Sequence, residues 1–155
     1  MRLKSALRRG VAAAVIAGIV VSSGIPAYAG TWDIADGNIT VRAGEAEGTN
    51  RVTQGEKDVE DTDTVITGES EENTVTIDTS KGNVDVTFDD LKIDVSGKAE
   101  VDGSGDSPVD AGKAAVTVQG DHDATIELDG KNELKSGGYN AGLEKNEHEA
   151  EGTLT

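Results

Sequence analysis

The chain has 155 residues, no cysteine, and 30 acidic against 14 basic residues, a formal net charge of −16. The lack of thiols excludes a lipid-modified N-terminus and a disulfide framework. The acidity argues against nucleic acid and anionic lipid as partners, because like charges repel at long range.

The first segment reads as an export signal. Arg2, Lys4, Arg8 and Arg9 precede an apolar run from Val11 to Val21, and Ala27-Tyr28-Ala29 supplies the small-x-small pattern that a signal peptidase reads. The apolar run falls short of the roughly 20 residues a membrane-spanning helix needs. The expectation is cleavage between Ala29 and Gly30, so that residues 1–29 are a signal peptide and residues 30–155 a secreted or cell-surface domain with no membrane contact. All 30 acidic residues follow Ala29, but only 10 of the 14 basic ones do, which leaves that domain at −20.

Acid richness with so few aromatics is also a signature of disorder. The apolar pattern argues otherwise. Ile39-Thr40-Val41, Val65-Ile66-Thr67, Val75-Thr76-Ile77, Val84 to Phe88 and Leu91 to Val95 alternate β-branched or apolar residues with polar ones. Val116-Thr117-Val118, Ala124 to Leu128 and Thr153 to Thr155 continue the pattern. Period-two alternation predicts strands with one buried face. Turn residues separate them at Asp36-Gly37-Asn38, Ser80 to Asn83, Asp129-Gly130 and Ser136 to Gly138. Inward positions such as Val86 and Ile126 should not tolerate a charge.

The units recur. Val75 to Val116 is a step of 41, Val116 to Leu143 one of 27, and Ile126 to Leu154 one of 28. The long step contains a Gly/Ser/Asp-rich stretch near 96–112, which reads as a loop inserted into one coil. A recurring strand unit predicts an all-β solenoid whose coils stack on a continuous apolar column. A β-sandwich of hairpins, signalled by the Asp-Gly and Gly-Asn pairs, is the alternative. Gly152-Thr153-Leu154-Thr155 stops in mid-coil, so the expected solenoid is incomplete at its C-terminus and the chain an N-terminal fragment.

With these units in view, five phrases resemble a bacterial family described as carbohydrate-binding domain-containing proteins. They are Thr31 to Val41, Val52 to Gly55, Val84 to Ile93, Ile126 to Leu134, and Ala141 to Asn146 with Gly152 to Thr155. The resemblance implies a right-handed parallel β-helix, calcium, and polygalacturonate as ligand. It identifies no calcium ligands residue by residue.

The residues themselves offer little catalytic chemistry. His122 and His148 lie in polar, turn-like segments, and no serine has a nucleophile-elbow context. A polysaccharide lyase would need a base beside the sugar, yet Arg42 and Arg51, the only arginines after the signal, sit in no recognisable motif. The expectation is a binder, not an enzyme.

Two acidic clusters are the candidate metal ligands: Asp58, Glu60, Asp61 and Asp63, and Asp102, Asp106 and Asp110. Calcium takes six to eight oxygen ligands, which carboxylates and loop carbonyls supply. The plainer reading is a solvated acidic face. Trp32 reads as a cap and Phe88 as core, so Tyr139 is the candidate sugar-stacking ring. The sequence therefore points to an extracellular polysaccharide or surface glycan as partner, an acidic pectin-like chain being held through bridging calcium. A structural or adhesive surface solenoid is the second reading and a lyase the third.

Overall fold

A computed structural model describes residues 29–97, 112–138, 140–145 and 151–155. The expected signal segment, the inserted loop with Asp102, Asp106 and Asp110, and Tyr139 lie outside the described residues, apart from Ala29 and the margins of the loop.

The protein is all-β. A first pass consists of β1 (Thr31–Asp33), a 3-10 turn (Ile34–Asp36) and β2 (Ile39–Ala43), followed by β3 (Asn50–Gln54) and β4 (Lys57–Asp61). A second pass comprises β5 (Val65–Thr67), β6 (Glu69–Ser70) and β7 (Val75–Asp78). The third is β8 (Val84–Asp89), β9 (Lys92–Asp94) and β10 (Val116–Gln119), and the fourth β11 (Ala124–Asp129), β12 (Glu133–Lys135) and β13 (Leu143–Lys145). These strands form three sheets, in the orders β1-β5-β8-β11, β13-β10-β7-β2-β3-β4 and β12-β9-β6. The first and third sheets are parallel throughout; the second is mixed, since β2–β3 and β3–β4 pair antiparallel. Among the described residues no sheet closes on itself.

Strands consecutive in sequence, such as β7, β8 and β9, lie in three different sheets. The corners at 80–83 and Asp129-Gly130 thus carry the chain from sheet to sheet and do not form the hairpins a sandwich would place there. Hairpins among the described residues are β2–β3 and β3–β4. Each pass stacks on the previous one in register. Ile39 pairs with Val75, Val75 with Val116 and Val116 with Leu143, so the steps of 41 and 27 are rung spacings. The step of 28 is not. Leu154 pairs with Ala124, two residues earlier than the expected Ile126.

The register turns alternation into columns. Val75 and Ile77 are buried on β7 while Thr76 and Asp78 are half-buried, and β8 repeats the pattern with Val84, Val86 and Phe88 inward. Each such side chain withdrawn from water stabilises by about 1.5–3 kcal/mol. Trp32, Ile66, Phe88 and Leu128 form one column across four strands. The first three are buried, and Leu128, on the last rung, is 66% exposed. On the opposite side of the second sheet Thr53, Thr40, Thr76 and Thr117 stand in one row.

Corner side chains stitch rung to rung. Asn38 Oδ1 accepts from the Thr74 backbone N–H at 2.9 Å, Asn83 Oδ1 from Asp123 at 3.1 Å, and Asp123 Oδ1 from Thr153 at 2.7 Å. A corner amide that no ladder can use thereby finds an acceptor.

Candidate functional site

The acidic run at 58–63 is mostly strand, not a ligand loop. Its alternation on β4 sends Asp58 and Glu60 to one face and Asp61 to the other. Asp58, opposite Thr53, is exposed between two arginines: Arg51 Nε lies at 2.9 Å and Arg42 Nη2 at 3.0 Å. The Arg51 hydrogen bond, with the charges of Arg42 and Arg51, holds the Asp58 carboxyl below the usual carboxylate range against the opposing effect of burial. Both arginines are thus occupied by a carboxylate.

Asp61 is fully buried. Its Oδ2 accepts the Trp32 indole N–H at 2.6 Å, and its Oδ1 accepts the backbone N–H groups of Gly30 and Asp63, both at 3.0 Å. Glu60 is 3% exposed. Its Oε1 accepts from the backbone N–H groups of Glu45 at 2.7 Å and Ala46 at 3.2 Å, and from the Thr49 hydroxyl. Three of the four carboxylates expected to share a metal therefore bind protein donors at separate places. Among the described residues no group of three or more His, Cys, Asp or Glu side chains converges on a point that could hold a metal ion.

The fourth, Asp63, lines a cleft of about 860 Å³. One wall is the loop at 44–49, and the other is formed by the outward side chains of the parallel ladder, Asp85 and Thr87 on β8 with Thr125 and Glu127 on β11. Asp85 pairs in register with Thr125, and Thr87 with Glu127, so these groups are set at rung spacing on a rigid sheet. Residues 62–64 and 81–83 line it as well, with Ala43, Asn50 and Val86. Asn50 ties the two walls together: its Nδ2 donates to Thr64 Oγ1 at 2.9 Å and to the Asp85 carbonyl at 2.7 Å.

The lining contains five carboxylates (Glu45, Glu47, Asp63, Asp85 and Glu127) and one ammonium, Lys81. Thr62, Thr87 and Thr125 add hydroxyls and Asn83 an amide, whereas Thr49, Asn50 and Thr64 line the cleft but are buried and bonded within the protein. Such a surface offers many hydrogen-bond acceptors, several two-way hydroxyls, and no aromatic ring. The sequence pointed to Asp63 alone among these residues. The outward positions of alternating strands carried the rest of the signal, but nothing in one dimension said which of them share a face with the 44–49 loop.

Comparison with known protein families, with characterised proteins and with solved structures returns no match.

Proposed function

We propose that this is an exported, non-catalytic carbohydrate-binding protein whose rungs form a right-handed parallel β-helix, with the cleft beside β8 and β11 as its glycan site. Stacked parallel strands and the corner-to-corner course of the chain support the helix. Crossovers between parallel strands are right-handed in about 98% of cases. The observation that carries the function is the cleft lining, in which the hydroxyls of Thr87 and Thr125 and the carboxylates of Asp85 and Glu127 are held on a rigid ladder facing open solvent. Sugar hydroxyls both donate and accept, and they match such a mixed polar surface with little rearrangement. The sequence resemblance to carbohydrate-binding domain-containing proteins points the same way.

Among the described residues no three His, Cys, Asp or Glu side chains are grouped to hold a metal ion. In this reading a neutral glycan contacts the cleft directly. A uronate chain, repelled by five carboxylates, needs calcium bridging its own carboxylates to the protein.

Affinity electrophoresis against a neutral β-glucan and against polygalacturonate, each with calcium or with a chelator, tests this. The expectation is chelator-resistant retardation by the neutral polymer, and retardation by polygalacturonate only with calcium. Unretarded migration under all four conditions sinks the proposal, and release of unsaturated uronides would replace it with a lyase.

A further inference from the structure

Glu60 does more than fill a buried position. Three donors from one short loop, the backbone N–H groups of Glu45 and Ala46 and the Thr49 hydroxyl, converge on its Oε1. The loop adds its own closure, with Gly44 N donating to Thr49 O at 2.8 Å and Thr49 N to Ala46 O at 3.2 Å. Consecutive backbone N–H groups pointing at one oxygen form an anion-binding nest. Here the anion belongs to the chain itself, delivered from β4 across 11 to 15 residues. Gly44 is part of the fit: a Cβ there would overlap both Thr49 Oγ1 and Glu60 Oε1. The other carboxylate oxygen, Oε2, faces Arg51 Nη1 at 3.9 Å.

The loop so held is the wall that brings Glu45 and Glu47 to the cleft. We infer that Glu60 is a positioning residue, a carboxylate latch that keeps the 44–49 loop shaped as one side of the binding cleft. This inference rests on the glycan-site reading for its consequence, but the latch itself stands on the hydrogen bonds alone. The bonds from Gly44 N to Thr49 O and from Thr49 to Ala46 O lie inside the loop, so release of the latch frees the wall without dismantling the rungs.

The experiment pairs hydrogen exchange with binding in the whole chain, using Glu60→Ala and Glu60→Gln and neutral β-glucan as probe. In Glu60→Ala the Glu45 and Ala46 amides should exchange about tenfold or more faster, the loss expected when a charge-assisted bond is removed. The Val75 and Val84 amides, bonded within the rungs to Ala115 O and Asp123 O, should keep their protection. Glucan affinity should fall about tenfold, and Glu60→Gln, which keeps an acceptor oxygen, should recover a large part of both effects. If Glu60→Ala does not fold, Thr49→Val removes one latch donor while leaving the carboxylate in place, and the same two readouts apply.

Unchanged exchange at Glu45 and Ala46 overturns the latch. Faster exchange with unaltered glucan affinity overturns its role in binding. A wild-type protein that binds neither glucan nor, with calcium, polygalacturonate refutes the glycan reading instead, and the exchange arm still decides the latch.

Discussion

The Trp32 indole N–H and the Asp61 carboxylate meet at 2.6 Å across 29 residues, and both side chains are buried. This bond joins the first strand to the outermost strand of the β3–β4 hairpin. Asp61 also takes the Gly30 backbone N–H, so one carboxylate fastens the start of the described chain. Gln54 of the same hairpin donates to Asp33 O at 2.7 Å and Gly37 O at 3.1 Å, closing that end of the stack.

Asp61→Ala should therefore destabilise by about 2 kcal/mol, because it leaves the buried Trp32 N–H and two half-buried backbone N–H groups without their acceptor. Trp32→Phe should cost less, since Asp61 Oδ1 keeps both of its backbone donors. Urea unfolding followed by circular dichroism reads both. An Asp61→Ala midpoint equal to wild type would refute the assignment.

Neighbouring positions on β8 should respond oppositely. Val86 is 4% exposed and faces the column, so Val86→Asp buries an unpaired charge and should abolish folding. Asp85 faces the cleft, and Asp85→Asn should alter stability by no more than about 0.5 kcal/mol. Ile126, the rung partner of Val86, is only partly buried, so Ile126→Asp should be milder than Val86→Asp. Far-ultraviolet circular dichroism of the three variants checks the order, and an Asp85→Asn protein that is unfolded contradicts the face assignment.

Acid should loosen the hairpin through Asp58. Arg51 and Arg42 depress its folded pKa, so its stabilisation is complete above the unfolded value of about 3.9 and is lost as pH falls through the lower folded value. Asp58→Asn should be less stable than wild type at neutral pH, and the gap should close in strong acid. Urea midpoints measured from pH 7 to pH 2 decide it; a gap independent of pH would mean that the carboxylate charge is not what holds the arginines.

Gly120 adopts φ +99°, and a Cβ there would collide with the backbone of Thr79 and Ser80 on the adjacent rung. Gly120→Ala should cost about 1–3 kcal/mol from strain and displaced backbone. By contrast Gly55, at φ +59° with open space around it, should lose less on the same change. Thermal unfolding of the pair tests the ranking, and equal losses would show that the rung contact is not tight.

Much of the strand content was legible in the chain. The alternation at 75–77, 84–88, 116–118 and 124–128 became β7, β8, β10 and β11, and the steps of 41 and 27 became registers. The hairpin was not legible as such. Asp58, Glu60 and Asp61 read as a solvated or metal-seeking run because carboxylates are almost never buried without partners. Their partners, Arg51, Arg42, Trp32 and the 44–49 loop, lie 7 to 29 residues away. The last register slipped by two because a period of two fits Leu154 to Ala124 as well as to Ile126.

Local chemistry alone thus determined which residues turn inward, since a β-branched residue at every second position has one face to bury whatever its neighbours are. It also determined the large negative charge. Tertiary structure decided what the carboxylates do. Their roles depend on which donors other segments bring within about 3 Å, a quantity set by rung register and by the hairpin's return, not by spacing along the chain. The same acidic run thereby supplies an arginine clamp at Asp58, a loop latch at Glu60, an end fastening at Asp61 and a cleft wall at Asp63.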